Sequence, residues 1–449
     1  MSASPDPSML YHQHLSAAAS TPPVPVSLPQ TSERALGLLS ELAKTDSEQL
    51  LIVNFEAGGH HHAHVCHLVR FATTAQRTEV RFLVGRKLRD EVLRHLSPEQ
   101  AAFFVERVRL LDEDRTWQRV HALIPKEQLA IFCFVELLNL RERRRSKLLF
   151  LHLESAIYLL AFSPLPRFGI SGLLSRPTFH YKREGFFIKG TDNRALFLLK
   201  YAVARALCIR RGFDRIFLMD PWAQEHAARI WRSSKFHFIP DPYGPEPGDE
   251  RIVASGEPIA ERPMTLLIAG AIAPRKGVHS LANALAKVSP QTRRNVRVYI
   301  VGKPEKGQEE YVATNLQHLK DIGVDVRADI RFVEDEELDR YISDVHVVLT
   351  PYINFKSSSG ILYRAAHFGT PVVSTNRGLI GRLVIRHRLG AAIDTTDPAA
   401  FAHLLDEIVA TGRVQGFDPV SARRLADDST PTAFAGILLG ATGESAMPE

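Results

Sequence analysis

The sequence predicts an α/β protein of two doubly wound, parallel-sheet domains. Short apolar runs alternate with helical stretches through both halves of the 449 residues, a rhythm of strand and helix. The opening run of each half ends in glycine and leads into a helix: Gly58 and Gly59 follow the run at 49–55, and Gly270 closes the run at 264–270. Between the halves, 241–263 is rich in proline and acidic residues, the composition of an interdomain linker. The length agrees, since it exceeds what one typical core holds.

In chain order, residues 1–30 are rich in Ser, Ala and Pro and are expected to form a disordered tail, with a helix following over 32–44. The first domain, 31–242, takes strands at 49–55, 80–84, 107–111, 147–154, 215–219 and 236–239. Its helices fall at 61–73, 87–96, 98–105, 125–140, 193–211 and 221–231. From 163 to 190 the chain reads as a long basic loop, a form that often carries recognition. A linker at 243–263 leads to the second domain, 264–412, with strands at 264–270, 296–301, 329–332, 345–350 and 371–374. Helices run to 288 and over 308–320, 336–343, 360–368, 381–387 and 398–411, and 413–449 forms a closing helix and tail.

Hydrophobic residues make up 45% and charged residues 24%, an ordinary balance for a globular chain, and no apolar run reaches the length of a membrane span. No basic start followed by an apolar core marks a secretory leader. Cys66, Cys133 and Cys208 are too few and too scattered for a disulfide framework or a metal knuckle. A reducing cytoplasm is the expected compartment, with peripheral contact at the inner membrane face as an extension of it. The net charge of +6 permits attraction to phosphates or acidic headgroups. The basic cluster at 141–147 ends a helix, where positive charge suits the dipole, and no aromatic-interleaved basic pattern marks a nucleic-acid module. No nucleic-acid partner is expected, and the oligomeric state is not legible.

The stretch 350–377 bears most on function. Ser357, Ser358 and Ser359 precede a helix that opens at Gly360, between the apolar runs at 345–349 and 371–374. The hydroxyls suit an N-cap, glycine lets a ligand approach the backbone, and the N–H groups of a first turn attract anions. From these residues alone, a serine cap on a core helix and a phosphate cradle both stand. In the first domain His60 and His64 form an i, i+4 pair, but no carboxylate on that helix completes a metal set, and no metal is expected.

Four segments resemble the group 1 glycosyltransferases of GT-B fold, also known as family 4. The segment 270–277 is similar to the family's Gly-Arg-x-x-x-x-Lys-Gly, with Ala271 in place of arginine, and 365–372 to the end of its donor-binding helix. The segment 378–384 follows where the family has Gly-Gly-x-x-Glu-Leu-Val, with Arg382 for glutamate, and 422–439 resembles a closing helix that crosses back to the first domain. The resemblance implies two Rossmann-like domains facing a cleft and transfer from a nucleotide-diphosphate sugar to an acceptor hydroxyl with retention, without metal or other cofactor. It makes His152 and Lys276 the catalytic candidates, Glu154 orienting His152. Arg275, Lys276, Lys356, Ser358, Ser359, Gly360 and Arg364 become the donor site. Lys356 and Arg364 stand where the family places two glutamates, and cations accept no hydrogen bonds from sugar hydroxyls. The expectation is therefore stronger for phosphate than for sugar, and a non-catalytic GT-B binding or scaffold protein is the alternative.

The resemblance places the acceptor, whether carbohydrate, lipid-linked or a small molecule, against loops of the first domain. Gly58, Gly59, His60, Arg176, His180 and Tyr181 are its candidate contacts. Phe179 and Tyr181 are expected to stack on a sugar while Arg176, Lys182 and Arg183 meet an anion. The helix around 196–211 is expected to pack on the core with a solvated basic edge rather than to touch a membrane.

Overall fold

The computed structural model describes residues 48–54, 61–124, 126–142, 145–154, 156–162, 169–183, 185–186, 194–243 and 263–440. The expected N-terminal tail and helix, most of the linker, and Gly58, Gly59 and His60 lie outside the described residues.

The first domain runs β1 (Glu48–Asn54), α1 (His61–Thr74), β2 (Val80–Val84), α2 (Arg86–Leu93), α3 (Pro98–Arg107), β3 (Val108–Leu110), α4 (Arg115–Leu123) and α5 (Glu127–Glu142). It continues with β4 (Arg145–Phe150), α6 (Ile157–Phe162), β5 (Ile170–Leu174), a 3-10 turn (Thr178–His180), α7 (Arg194–Ile209), β6 (Phe213–Leu218), α8 (Pro221–Trp231) and β7 (Phe236–Phe238). These seven strands form a parallel sheet in the order β3-β2-β1-β4-β5-β6-β7. The second domain runs β8 (Met264–Ala269), a 3-10 turn (Pro274–Lys276), α9 (Val278–Leu285), α10 (Pro290–Arg294), β9 (Val296–Val301), α11 (Glu309–Asp321), β10 (Asp325–Asp329) and α12 (Asp335–Asp344). Then come β11 (Val347–Thr350), α13 (Gly360–Phe368), β12 (Val372–Thr375), α14 (Gly378–Arg386), β13 (Gly390–Ile393), α15 (Pro398–Thr411), α16 (Pro419–Asp428) and α17 (Pro431–Gly440). Its parallel sheet has the order β10-β9-β8-β11-β12-β13.

Central strands follow the apolar runs because helices cover both faces of a parallel sheet: Leu51, Ile52 and Val53 are all at most 1% exposed. The departures have physical reasons. The expected loop at 163–190 contains β5, fully buried although Ser171 and Gly172 interrupt its apolar pattern. Strand β10 lies before the expected 329–332, because an edge strand with exposed side chains has no apolar run to mark it.

Each sheet has one place where the strand order reverses, between β1 and β4 in the first and between β8 and β11 in the second. Ligands of open α/β sheets bind outside the carboxyl ends of the strands at that place. Side-chain contacts join the two domains. Tyr181, after β5, donates its hydroxyl to the Lys356 carbonyl at 2.9 Å, and Arg382 of α14 stacks over Phe186 at 4.1 Å. Arg386 pairs with Glu225 of α8 at 2.7 Å. The chain also crosses back at its end, with Phe434, Ala435, Leu438 and Leu439 of α17 buried in the core of the first domain.

Candidate active site

In the second domain the two loops at the strand-order reversal are locked together. Gly277 has φ +73°, and a Cβ there would stand 2.1 Å from the Pro351 carbonyl oxygen, so only glycine lets the turn after β8 close on the loop after β11. The Ile353 N–H donates to the Arg275 carbonyl at 2.8 Å. Lys276, 6% exposed, donates from Nζ to the Tyr352 hydroxyl at 2.6 Å and to the Ala269 carbonyl at 3.2 Å. A Cβ on Gly270 would stand 3.2 Å from that ammonium, so glycine leaves it room beside the strand end.

Helix α13 opens on the same loop. Ser359 is its N-cap residue in extended conformation, but its hydroxyl bonds no N–H of the first turn. Ser358 instead lies 3.4 Å from the Tyr363 hydroxyl. Of the two readings that the sequence leaves open, the serine cap is not formed at Ser359. Gly360 faces open space, with no heavy atom within 4 Å of where a Cβ would stand.

In the first domain the corresponding ends of β1 and β4 carry histidines. His152, just past β4, lies 3.3 Å from Glu154 through Nε2, and its ring meets that of His61 edge-on at 5.2 Å. Glu154 also accepts from the Arg176 N–H at 2.8 Å. Beside them opens a cavity of about 210 Å³ lined by Glu154, Tyr158, Arg176, Thr178 and Lys200 among others. Lys200 donates to the Thr178 hydroxyl at 3.1 Å, and burial, followed by the like charge of Lys356, pushes its pKa down.

Residues 263–411 match the family model described as "Glycosyl transferases group 1". The match covers about a third of the chain, within the second domain. A D-inositol 3-phosphate glycosyltransferase of Nocardioides sp. strain JS614 is 31% identical over 161 residues, 34% of this chain and 35% of that protein. The putative glycosyltransferase YtcC of Bacillus subtilis strain 168 is 27% identical over 149 residues, 31% of this chain and 35% of its own length. The match thus spans about a third of each curated relative. Across both domains the fold is GT-B. Anabaena HepE, solved in complex with UDP, superposes with a TM-score of 0.59 at 14% identity, covering 87% of this chain and 98% of that one. Sucrose-phosphate synthase of Thermosynechococcus elongatus gives a TM-score of 0.54 at 16% identity, covering 88% and 96%.

Within the second domain, not every expected contact is free for a ligand. Arg364 is withdrawn: its guanidinium pairs with Asp335 and Asp339 of α12 and stacks on Tyr243 at 4.4 Å. Arg275 pairs with Glu305 and lies 5.7 Å from the Phe355 ring. Lys356 engages the first domain through its carbonyl and is half-buried. In the first domain, His180 and Tyr181 are corrected from acceptor contacts to interior residues. The His180 ring is fully buried 3.2 Å from the equally buried Asp220. Tyr181 stacks on Phe186 at 4.4 Å, and burial raises its pKa well above the usual range. Phe179 is likewise core, 3% exposed, while Arg176 remains exposed beside the cavity. Sequence reasoning missed His61, Tyr352 and Lys200. His61 alone had a local signal, as the first residue of the helix after the glycine pair.

Proposed function

We propose that this chain transfers a glycosyl unit from a nucleotide-diphosphate sugar to an acceptor hydroxyl with retention, in carbohydrate biosynthesis at the cytoplasmic face of a membrane. The observation that carries the reading is that the Lys276 ammonium, after β8, and the start of α13 at open Gly360, after β11, lie on the two loops that flank the reversal of strand order in the second domain. The ammonium and the N–H groups of α13 offset the charge that grows on the leaving diphosphate. They do so without invoking a metal or other cofactor. His152, held by Glu154, faces the donor sugar, and the departing phosphate takes the acceptor proton. The acceptor enters the cavity beside Arg176 and Lys200, which suit an anionic group. Exposed Phe162 and Leu198, on the packed pair α6 and α7, give this side an apolar rim that favours a lipid-linked acceptor and a peripheral seat on the bilayer. The UDP in the HepE structure supports a nucleotide-sugar donor.

The test is titration calorimetry with UDP, GDP and ADP, followed by NMR of the sugar released or transferred from the matching nucleotide sugar. Micromolar binding of one nucleotide and a product of unchanged anomeric configuration are expected, and binding of none would overturn the reading. Lys356 and Arg364, in place of two acids, favour a second reading, a non-catalytic binding protein; nucleotide binding with neither hydrolysis nor transfer over a broad acceptor panel selects it. Gly360→Leu gives a local check. The added side chain enters open space, so stability should hold within about 0.5 kcal/mol. It also occupies the anion's approach, and nucleotide affinity should fall roughly tenfold, a charge-assisted contact's worth.

A further inference from the structure

The histidines that open α1 point to different neighbours. His61 meets His152, His64 meets Phe434 at 5.0 Å and His67 meets Phe434 at 6.4 Å. His62 turns instead to His95, just beyond α2, their rings stacked at 5.2 Å and 29°. Glu91, one helical turn before His95, lies 3.4 Å from its Nε2 through one oxygen and pairs with Arg94 at 2.6 Å through the other. One ligand atom from each of His62, Glu91 and His95 lies within 4.8 Å of the other two.

We propose that His62, Glu91 and His95 form a binding site for a divalent transition-metal ion, zinc or a late first-row neighbour. Two imidazoles and one carboxylate are the donor set that such ions take with one position left for water. Bonds of 2.0–2.1 Å in a tetrahedron put ligand atoms about 3.4 Å apart, so small rotations of these partly exposed side chains close the cluster on an ion. Arg94 orients the carboxylate as an outer partner while the second oxygen faces His95. An all-oxygen site for magnesium or calcium is not offered here, which sets the selectivity. The ion would pin the first turn of α1 to the end of α2. His61 occupies that turn, so occupancy tightens the wall on which His152 leans. The site is a clamp on the cleft rather than part of the transfer step, and it stands independently of the glycosyl-transfer reading.

The test uses full-length protein without a polyhistidine tag, stripped with chelator, titrated with ZnCl2 by calorimetry and with CoCl2 by visible absorption. One zinc per chain with micromolar or tighter affinity, a raised melting temperature and no response to MgCl2 are expected. His95→Ala and Glu91→Gln lie outside the histidine run at 60–62, and each should weaken zinc binding at least tenfold, since losing even an outer-shell partner costs 10–100-fold. His67→Ala, which faces α17, should leave it unchanged. If zinc binds His95→Ala and Glu91→Gln as tightly as wild type, the histidine run alone holds the ion and the site is not this one. No binding at about 100 µM zinc also overturns it.

Discussion

Lys276→Met is expected to weaken nucleoside-diphosphate binding by about 10- to 100-fold, the worth of one charge-assisted hydrogen bond in a partly desolvated site. The ammonium is anchored at two points, the Tyr352 hydroxyl and the Ala269 carbonyl, which leaves its third proton for a phosphate oxygen. Methionine keeps the buried stem filled, so the loss of stability should be confined to the two acceptors left without their donor, about 1–3 kcal/mol each. Lys276→Arg is expected not to restore binding: the planar fork is larger than the space between Gly270 and Tyr352 and cannot reproduce a compact ammonium. Calorimetry with the nucleotide, alongside thermal unfolding of each variant, separates charge from packing. Binding by Lys276→Met equal to wild type would place the diphosphate elsewhere and remove the basis for the proposed donor site. A loss of transfer with unchanged nucleotide binding would move Lys276 from holding the donor to stabilising the reacting charge.

The residues that were legible in the sequence are those whose role is local. Lys276 and Gly277 sit in one turn, and the segment 358–360 begins one helix, so neighbours in the chain fix their placement. The strands β1, β8 and β11 were equally legible because sheets covered on both faces demand unbroken apolar runs. What stayed hidden depends on residues far apart in sequence. Arg364 reads as a cation near a phosphate site until Asp335 and Asp339, contributed by another helix, claim it. His180 and Tyr181 look like surface recognition residues in a basic loop. In the fold that loop contains a buried strand, and the pair is carried into the domain interface against Asp220 and Lys356. Neither outcome has a signature of period or composition, because both are set by which elements pack together.

Phe434→Ala is expected to destabilise the first domain by about 3–5 kcal/mol, the usual cost of emptying a phenylalanine site in a packed core. Phe434 belongs to the last helix of the chain, yet it is fully buried among residues of α1, β2 and α3, with the His64 ring 5.0 Å away. Burial pushes the pKa of His67, its other ring neighbour, down to about 4, so near neutral pH that ring packs as an uncharged surface. The crossing is reinforced where the linker returns, since the Tyr243 N–H donates to the Ser429 carbonyl at 2.7 Å in the break between α16 and α17. Chemical denaturation should show the first domain melting earlier and, if the domains uncouple, a second transition for 264–412. A loss below about 1 kcal/mol would mean that α17 does not dock on the first domain in solution. The functional consequence follows from what the closing segment touches: α16 packs on α13 while α17 packs on α1. It therefore ties the helix proposed to hold the diphosphate to the helix that carries His61. Phe434→Ala should leave nucleotide affinity, a property of the second domain, near wild type and lower the rate of transfer, which needs both walls of the cleft in register. Equal loss of binding and transfer would instead locate the effect within the second domain itself.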